Sequence, residues 1–188
     1  MRIFGIDPGS ERTGYGCVET DGSRHAIVVC GAITTPALAS FPDKLLAIHS
    51  RLASLLEECR PDAVAIENLF HAANVRSALK LGHARGVAML AAVEARLPVF
   101  EYTPAEIKRA VVGYGRAEKP QVQHMMKLLL GLSAVPTPHD AADALAVAIC
   151  HVHASAFAPA ALRRDKAPAD APQMRRRAAS WRSYKPAH

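Results

Sequence analysis

What most constrains the fold of this chain is the order of its extended and helical stretches. Three extended runs separated by tight turns come first, and alternating helix and strand follow. Arg2 to Asp7, Thr13 to Glu19 and His25 to Ile33 are short β-branched or alternating runs, separated by Pro8-Gly9-Ser10 and Asp21-Gly22-Ser23. Turn residues between such runs predict three antiparallel strands. Phe41, Leu45, Ile48, Leu52, Leu55 and Cys59 then recur at spacings of four and three, which predicts an amphipathic helix stopped by Pro61. Ala63-Val64-Ala65-Ile66 is short and uniformly apolar, as a buried strand is, and Glu67 closes it. A helix over about Asn74 to Ala95 precedes a strand from Val99 to Tyr102. Thr103-Pro104, Glu118-Lys119-Pro120 and Thr137-Pro138 open three more helices, the last running to about Phe157. Three meander strands and then alternating helix and strand predict an α/β fold: a mixed five-stranded sheet with helices on both faces.

Length and charge add a second division. With 188 residues, half of them apolar, the chain suits one domain with an appendage. The net charge of +6 resembles a nucleic-acid binder's, but residues 1 to 157 carry 15 basic and 15 acidic residues and are neutral. The excess lies in residues 158 to 188, where eight bases face Asp165 and Asp170 in an Ala-, Pro- and Arg-rich stretch without periodicity. That composition predicts a disordered basic tail on a domain spanning 1 to 157. Within the neutral part, residues 1 to 69 hold nine acids and six bases, and residues 70 to 127 hold four acids and nine bases. An acidic pocket facing a basic surface is one arrangement this permits. Neither a signal-peptide core nor a membrane-length apolar run is present, so a soluble, cytoplasmic protein is expected. The four cysteines are widely spaced within apolar stretches and are expected to be buried thiols without disulfides.

Four acids stand out from this background. Asp7 and Glu67 end the first and fourth predicted strands, at carboxyl ends, where open sheets place their sites. Asp140 and Asp143 are three apart on the last helix and share a face. Each has an ordinary explanation: Asp7 can start a turn, Glu67 can pair at the end of a buried strand, Asp140 suits the helix dipole, and Asp143 can face solvent. Together they make a carboxylate cluster, and like charges a few ångströms apart need a cation between them. Mg²⁺ or Mn²⁺, hard ions that prefer oxygen, suit such a set.

The predicted strand pattern is the RNase H-like arrangement, and the motifs narrow it further. Ile6-Asp7-Pro8-Gly9-Ser10 with Thr13-Gly14-Tyr15-Gly16, Ile66-Glu67 with Phe70 and Asn74, Ser77-Ala78-Leu79-Lys80-Leu81-Gly82 and Ala84-Arg85-Gly86 resemble the RuvC family of bacterial Holliday-junction resolvases. So do Phe100-Glu101-Tyr102, Val111-Val112-Gly113, Ala117-Glu118-Lys119, Gln121-Val122-Gln123-His124-Met125 and Asp140-Ala141-Ala142-Asp143-Ala144-Leu145-Ala146. The likeness covers about residues 1 to 153 and leaves the tail outside. It implies a homodimer that binds four-way DNA junctions and nicks two strands of like polarity in recombination and repair, and coupling to a branch-migration motor complex. By position it implies that Asp7, Glu67, Asp140 and Asp143 are catalytic metal ligands. Some members of the family have histidine where this chain has Asp140, and His139 precedes it here, so the helix offers two candidates; a neighbour on a helix points about 100° away.

The chemistry that suits four carboxylates is in-line attack of water on phosphorus, with two ions per active site clamping the attacking and leaving oxygens. The resemblance makes Lys119 a catalytic or phosphate-binding lysine and Lys108 a DNA contact. Phe70, three residues after Glu67, is a candidate for stacking on an unpaired base. Arg76, Lys80 and Arg85 give the long helix a basic surface for DNA. Gly82 and Gly86, with Ala78, make a small-residue face that suits either the chain's own sheet or a second copy. Two other readings compete. Actin-like ATPases also begin with a strand ending in Asp-x-Gly, but need two such domains; a DNA-binding module without catalysis has no use for four acids that repel phosphate.

Overall fold

The computed structural model describes residues 1–68 and 74–157; Phe70 and the predicted tail lie outside the described residues. In chain order the elements are β1 (Arg2–Asp7), β2 (Arg12–Thr20), β3 (His25–Thr34), α1 (Phe41–Cys59), β4 (Ala63–Glu67), α2 (Val75–Glu94), β5 (Val99–Tyr102), α3 (Pro104–Val112), α4 (Lys119–Leu129) and α5 (His139–Phe157). These are the elements the sequence predicts, with β2 and β3 slightly longer. Their extra end residues are held by each other, since Arg12 pairs with Thr34 and Thr20 with His25.

The five strands lie in the order β3-β2-β1-β4-β5. β1 to β3 form an antiparallel meander, whereas β4 and β5 run parallel to β1. Strand side chains alternate between faces, and the core divides accordingly. Ile3, Val18, Ala63 and Ala65 pack with α3, α4 and α5; Phe4, Ile6, Cys17, Val64 and Ile66 pack with α1 and α2 on the opposite face. The same period carries Asp7, in line with Ile3 and Gly5, and Glu67, in line with Ala63 and Ala65, onto the α5 face. Because Ile6 pairs with Ile66, the next residues along the two strands, Asp7 and Glu67, emerge side by side.

Helix α5 is buried at nearly every position from Ala141 to Val152, as expected of a helix enclosed by a sheet on one side and helices on the other. It lies unusually close to the sheet. A Cβ on Gly5 would stand 2.0 Å from the Ala144 carbonyl oxygen, and one on Gly14 would stand 2.1 Å from that of Asp140. On Gly16 it would meet Leu145 Cδ2 at 2.7 Å. Three glycines on two strands thus bring α5, with its two acids, down to the ends of β1 and β4.

Helix α2 uses Ala84, Ala88, Ala91 and Ala92 to pack inward. Gly82 and Gly86 face outward, where a Cβ on either would meet nothing within 4 Å. Packing on the chain's own sheet is therefore not their role. The four cysteines are free thiols, and burial pushes Cys17 and Cys150 up to about 12. No helix among the described residues is long and apolar enough to cross a membrane.

Candidate active site

The β1–β2 turn, residues 8–11, is pinned from inside and outside. Thr13 Oγ1 donates to the Gly9 carbonyl at 2.7 Å, and the Thr35 backbone N–H donates to that of Glu11 at 3.1 Å. Lys44, almost fully buried on α1, donates to both carboxylate oxygens of Glu11 at 2.9 and 2.8 Å. A rigid turn therefore fixes the strand ends that carry Asp7 and Arg12. At the other side of the site, Thr103 caps α3 through a reciprocal bond with Glu106, and Gln121 accepts from the Glu118 N–H at the start of α4. Those caps set the entry of α3, which carries Lys108, and place Lys119 at the first position of α4.

Asp7 and Glu67 emerge side by side at adjacent strand ends, so each carboxyl bears on the ionisation of the other. Burial pushes Asp7 well above the ordinary carboxylate range, and the charges of Glu67, Asp143 and Asp140 push it further. Glu67 is also raised, chiefly by burial and then by Asp143, against the opposing pull of Asp7, Lys119 and Lys108. The four acids thus interact electrostatically at one place, as their positions at the ends of β1 and β4 and the start of α5 lead one to expect.

Cations already occupy two of them. Lys119 Nζ donates to Asp143 Oδ2 at 2.5 Å, and Arg12 Nε lies 3.2 Å from Asp140 Oδ2. Burial draws the Lys119 ammonium down, but the bond to Asp143 and the neighbouring acids outweigh it and hold its pKa above normal. Among the described residues no three acid, histidine or cysteine side chains stand where one ion could touch them all. The donor chemistry nonetheless fits a hard divalent cation. All four offer oxygen ligands, and a carboxyl whose pKa is raised by burial and by three like charges is relieved when a cation joins it.

His139 and Asp140 point to different neighbours. The His139 ring, exposed at the start of α5, is 2.8 Å from the Gln123 side-chain nitrogen on α4, whereas Asp140 is the one whose charge reaches Asp7. Lys108 lines an open cleft with Glu67, Lys119, Asp143 and Pro104. The other basic candidates are not brought there. Arg76 is exposed in the first turn of α2. Lys80 sits 5.8 Å over the Phe41 ring and within electrostatic reach of Glu11. Arg85 is engaged by Glu101 on β5. Phe70 lies outside the described residues.

Arg12 is a site residue that the sequence motifs do not single out. A signal for it exists all the same, because Arg12 stands two residues before Gly14 on one strand, so both face α5. Gly5 and Gly14 carry a similar signal, small residues beside an acid-bearing strand end.

A family model described as "Crossover junction endodeoxyribonuclease RuvC" matches residues 3–151. A RuvC of Trichlorobacter lovleyi is 52% identical over 186 residues, covering 99% of this chain and all of that protein. That likeness continues through the basic tail, beyond residue 153 where the motifs end. A RuvC of Syntrophotalea carbinolica is 56% identical over 153 residues, 81% of this chain and 94% of its own. Among solved structures, Thermus thermophilus RuvC in complex with a Holliday junction substrate superposes with a TM-score of 0.79 at 35% identity, covering 82% of this chain and 94% of that one.

Proposed function

This chain belongs to the RuvC family of crossover junction endodeoxyribonucleases, and on that premise we propose that it resolves four-way DNA junctions by hydrolysing one phosphodiester bond in each of two strands of like polarity. The observation that carries the reading is the cluster of Asp7, Glu67, Asp140 and Asp143 under the glycine-bedded start of α5, with Lys119 and Lys108 at its cleft. A neutral-to-acidic pit bordered by lysines attracts a phosphodiester only when cations fill it, which favours a metal-dependent nuclease over a passive DNA-binding module.

Asp7, Glu67, Asp140 and Asp143 would hold two Mg²⁺ or Mn²⁺ ions, which supply activation of water and stabilisation of the leaving oxygen. Asp7, between Glu67 and the α5 acids, is the central ligand of the set. Lys119 stays an ammonium at working pH, since Asp143 raises its pKa; it offers a charged donor to a phosphate oxygen at the cleft. Lys108 adds a second positive charge on the same wall. Phe70 would stack on a base exposed at the branch point, and Arg76, Lys80 and Arg85 would add phosphate contacts along α2.

Two cuts in symmetric strands call for two copies of the site, and α2 offers a surface for pairing. Val75, Leu79, Leu90 and Val93 are exposed and fall with Gly82 and Gly86 at spacings of 4, 3, 4, 4 and 3. That makes one narrow apolar stripe along the helix, with glycines at its middle for close approach of an identical helix. The homodimer would present its two clefts to the junction, with a branch-migration motor as a further partner.

The test is cleavage of an end-labelled four-way junction, with duplex and single-stranded DNA as controls, with Mg²⁺ and with EDTA. Paired nicks at symmetric positions, seen only with metal and only on the junction, are expected. Junction binding without metal-dependent cutting would leave the binding module standing; cutting in EDTA would overturn the carboxylate mechanism.

A further inference from the structure

We propose that Arg12 is the positioning residue for Asp140, holding its carboxylate against the sheet at the expense of metal affinity. The inference rests on the metal-dependent reading of the site given above.

Arg12 faces α5 because it shares a strand face with Gly14, over which Asp140 sits. It forms an ion pair with Asp140, its Nε standing 3.2 Å from Oδ2. The charge of the guanidinium draws the carboxylate towards β2 and so restrains where it sits, as groups beside metal ligands commonly do. The guanidinium has a firm base. Its neighbour Glu11 is gripped by the buried Lys44 through both carboxylate oxygens, and the Glu11 carbonyl accepts from Thr35. A chain of fixed contacts thus runs from α1 through the β1–β2 turn to the start of α5.

Stability does not explain the pair. The Arg12 side chain is 51% exposed and that of Asp140 30%, and ion pairs so open to water contribute little to folding. What the pair does change is local: it sets the side-chain direction of one ligand and leaves a positive charge beside a site that must take a divalent cation. The two effects pull measurements in opposite directions. Without the guanidinium, the cation meets less repulsion and binds more tightly, while Asp140 loses its fixed direction and turnover falls.

Arg12→Gln and Arg12→Lys, made in the full chain, test this. Mn²⁺ binding to the DNA-free protein is measured by calorimetry or by loss of the free-ion electron paramagnetic resonance signal, with Asp7→Asn as the site control. Turnover is measured on a labelled four-way junction at saturating Mn²⁺. Arg12→Gln is expected to bind Mn²⁺ about three- to ten-fold more tightly, the scale of removing one part-exposed charge from beside a cation. Its turnover should fall about ten-fold, a typical cost of losing a group that orients a metal ligand. Arg12→Lys, which keeps the charge, should restore wild-type Mn²⁺ affinity and recover part of the turnover. Both melting temperatures should stay at that of the wild type. Arg12→Gln with unchanged affinity and turnover, or with weaker Mn²⁺ binding, overturns the proposal; so does a large fall in melting temperature, which would make Arg12 structural. A wild-type protein that binds no Mn²⁺, or binds it as well after Asp7→Asn, would instead overturn the metal reading of the whole site.

Discussion

Replacing Gly14 with alanine should separate cutting from binding, because the atom it adds strikes the backbone of a site residue. The new Cβ would lie 2.1 Å from the Asp140 carbonyl oxygen and 2.7 Å from its carbonyl carbon. Neither is the end of a flexible side chain, so the clash cannot be relieved by a rotamer change. Restoring an ordinary contact of 3.4 Å to the oxygen requires the start of α5 to retreat by the difference between 3.4 and 2.1 Å, or 1.3 Å. Asp140 moves with that turn, and Asp143, one turn on, is drawn partly with it, while Asp7 and Glu67 stay on their strands. Overpacking of this kind costs about 1 to 3 kcal/mol of stability. A misplacement of about 1 Å among reacting groups costs on the order of 100-fold in rate. Urea denaturation, junction cleavage at saturating Mg²⁺ and junction binding in Ca²⁺ or EDTA are the measurements. A stability loss of about 1 to 3 kcal/mol, about 100-fold slower cutting and unaltered binding are expected. Wild-type stability would show that α5 does not press closely on β2. A clear stability loss with full cutting would break the link between the glycine bed and the site.

Asp7→Asn should abolish cutting and leave junction binding intact or improved, since one negative charge is removed. Because the folded-state pKa of Asp7 is raised, its contribution to stability is fully present below the unfolded value near 3.9 and is lost as pH rises towards the folded value, at about 1.4 kcal/mol per unit. In EDTA, urea midpoints should therefore show the variant gaining on the wild type from about pH 4 to 8; parallel curves would contradict the raised pKa of the buried Asp7. Leu79→Glu, in the middle of the exposed α2 stripe, should shift the protein to monomer in sedimentation and reduce coordinated double nicking; an unchanged dimer would place the interface elsewhere. Phe70→Ala should slow cleavage more than it weakens binding, with Phe70→Tyr and Phe70→Trp largely active; identical behaviour of all three would end the stacking assignment. Deleting residues 158–188 should lower affinity for junction and duplex in parallel and flatten the salt dependence, each lost phosphate contact removing about 0.9 from the log–log slope. Equal binding at every salt concentration would make the tail irrelevant to DNA.

The sequence alone determined the elements, because their signals are local. The 4-3-4-3-4 spacing of Phe41 to Cys59 is a helix, and Pro104, Pro120 and Pro138 mark helix starts whatever surrounds them. It also determined the acids, since Asp7 and Glu67 close apolar strands and the spacing of Asp140 and Asp143 puts them on one face. The motif likeness then supplied the family. What the sequence left open depended on contacts between residues far apart in the chain. Only the sheet order β3-β2-β1-β4-β5 puts β4 beside β1, and only the register joining Ile6 to Ile66 makes Asp7 and Glu67 neighbours that raise each other's electrostatic cost. Gly82 and Gly86 suit the chain's own sheet or another helix equally well until packing by Ala84 and Ala88 turns them outward. His139 and Asp140 adjoin on the helix, and only packing sends the first to Gln123 and the second to Arg12. Gly5 and Gly14 are only small residues until α5 comes within a van der Waals radius of their missing side chains. Periodicity records which way a side chain points from its own strand or helix; which partner meets it there is decided by the packing of distant elements, and the site is made of such meetings.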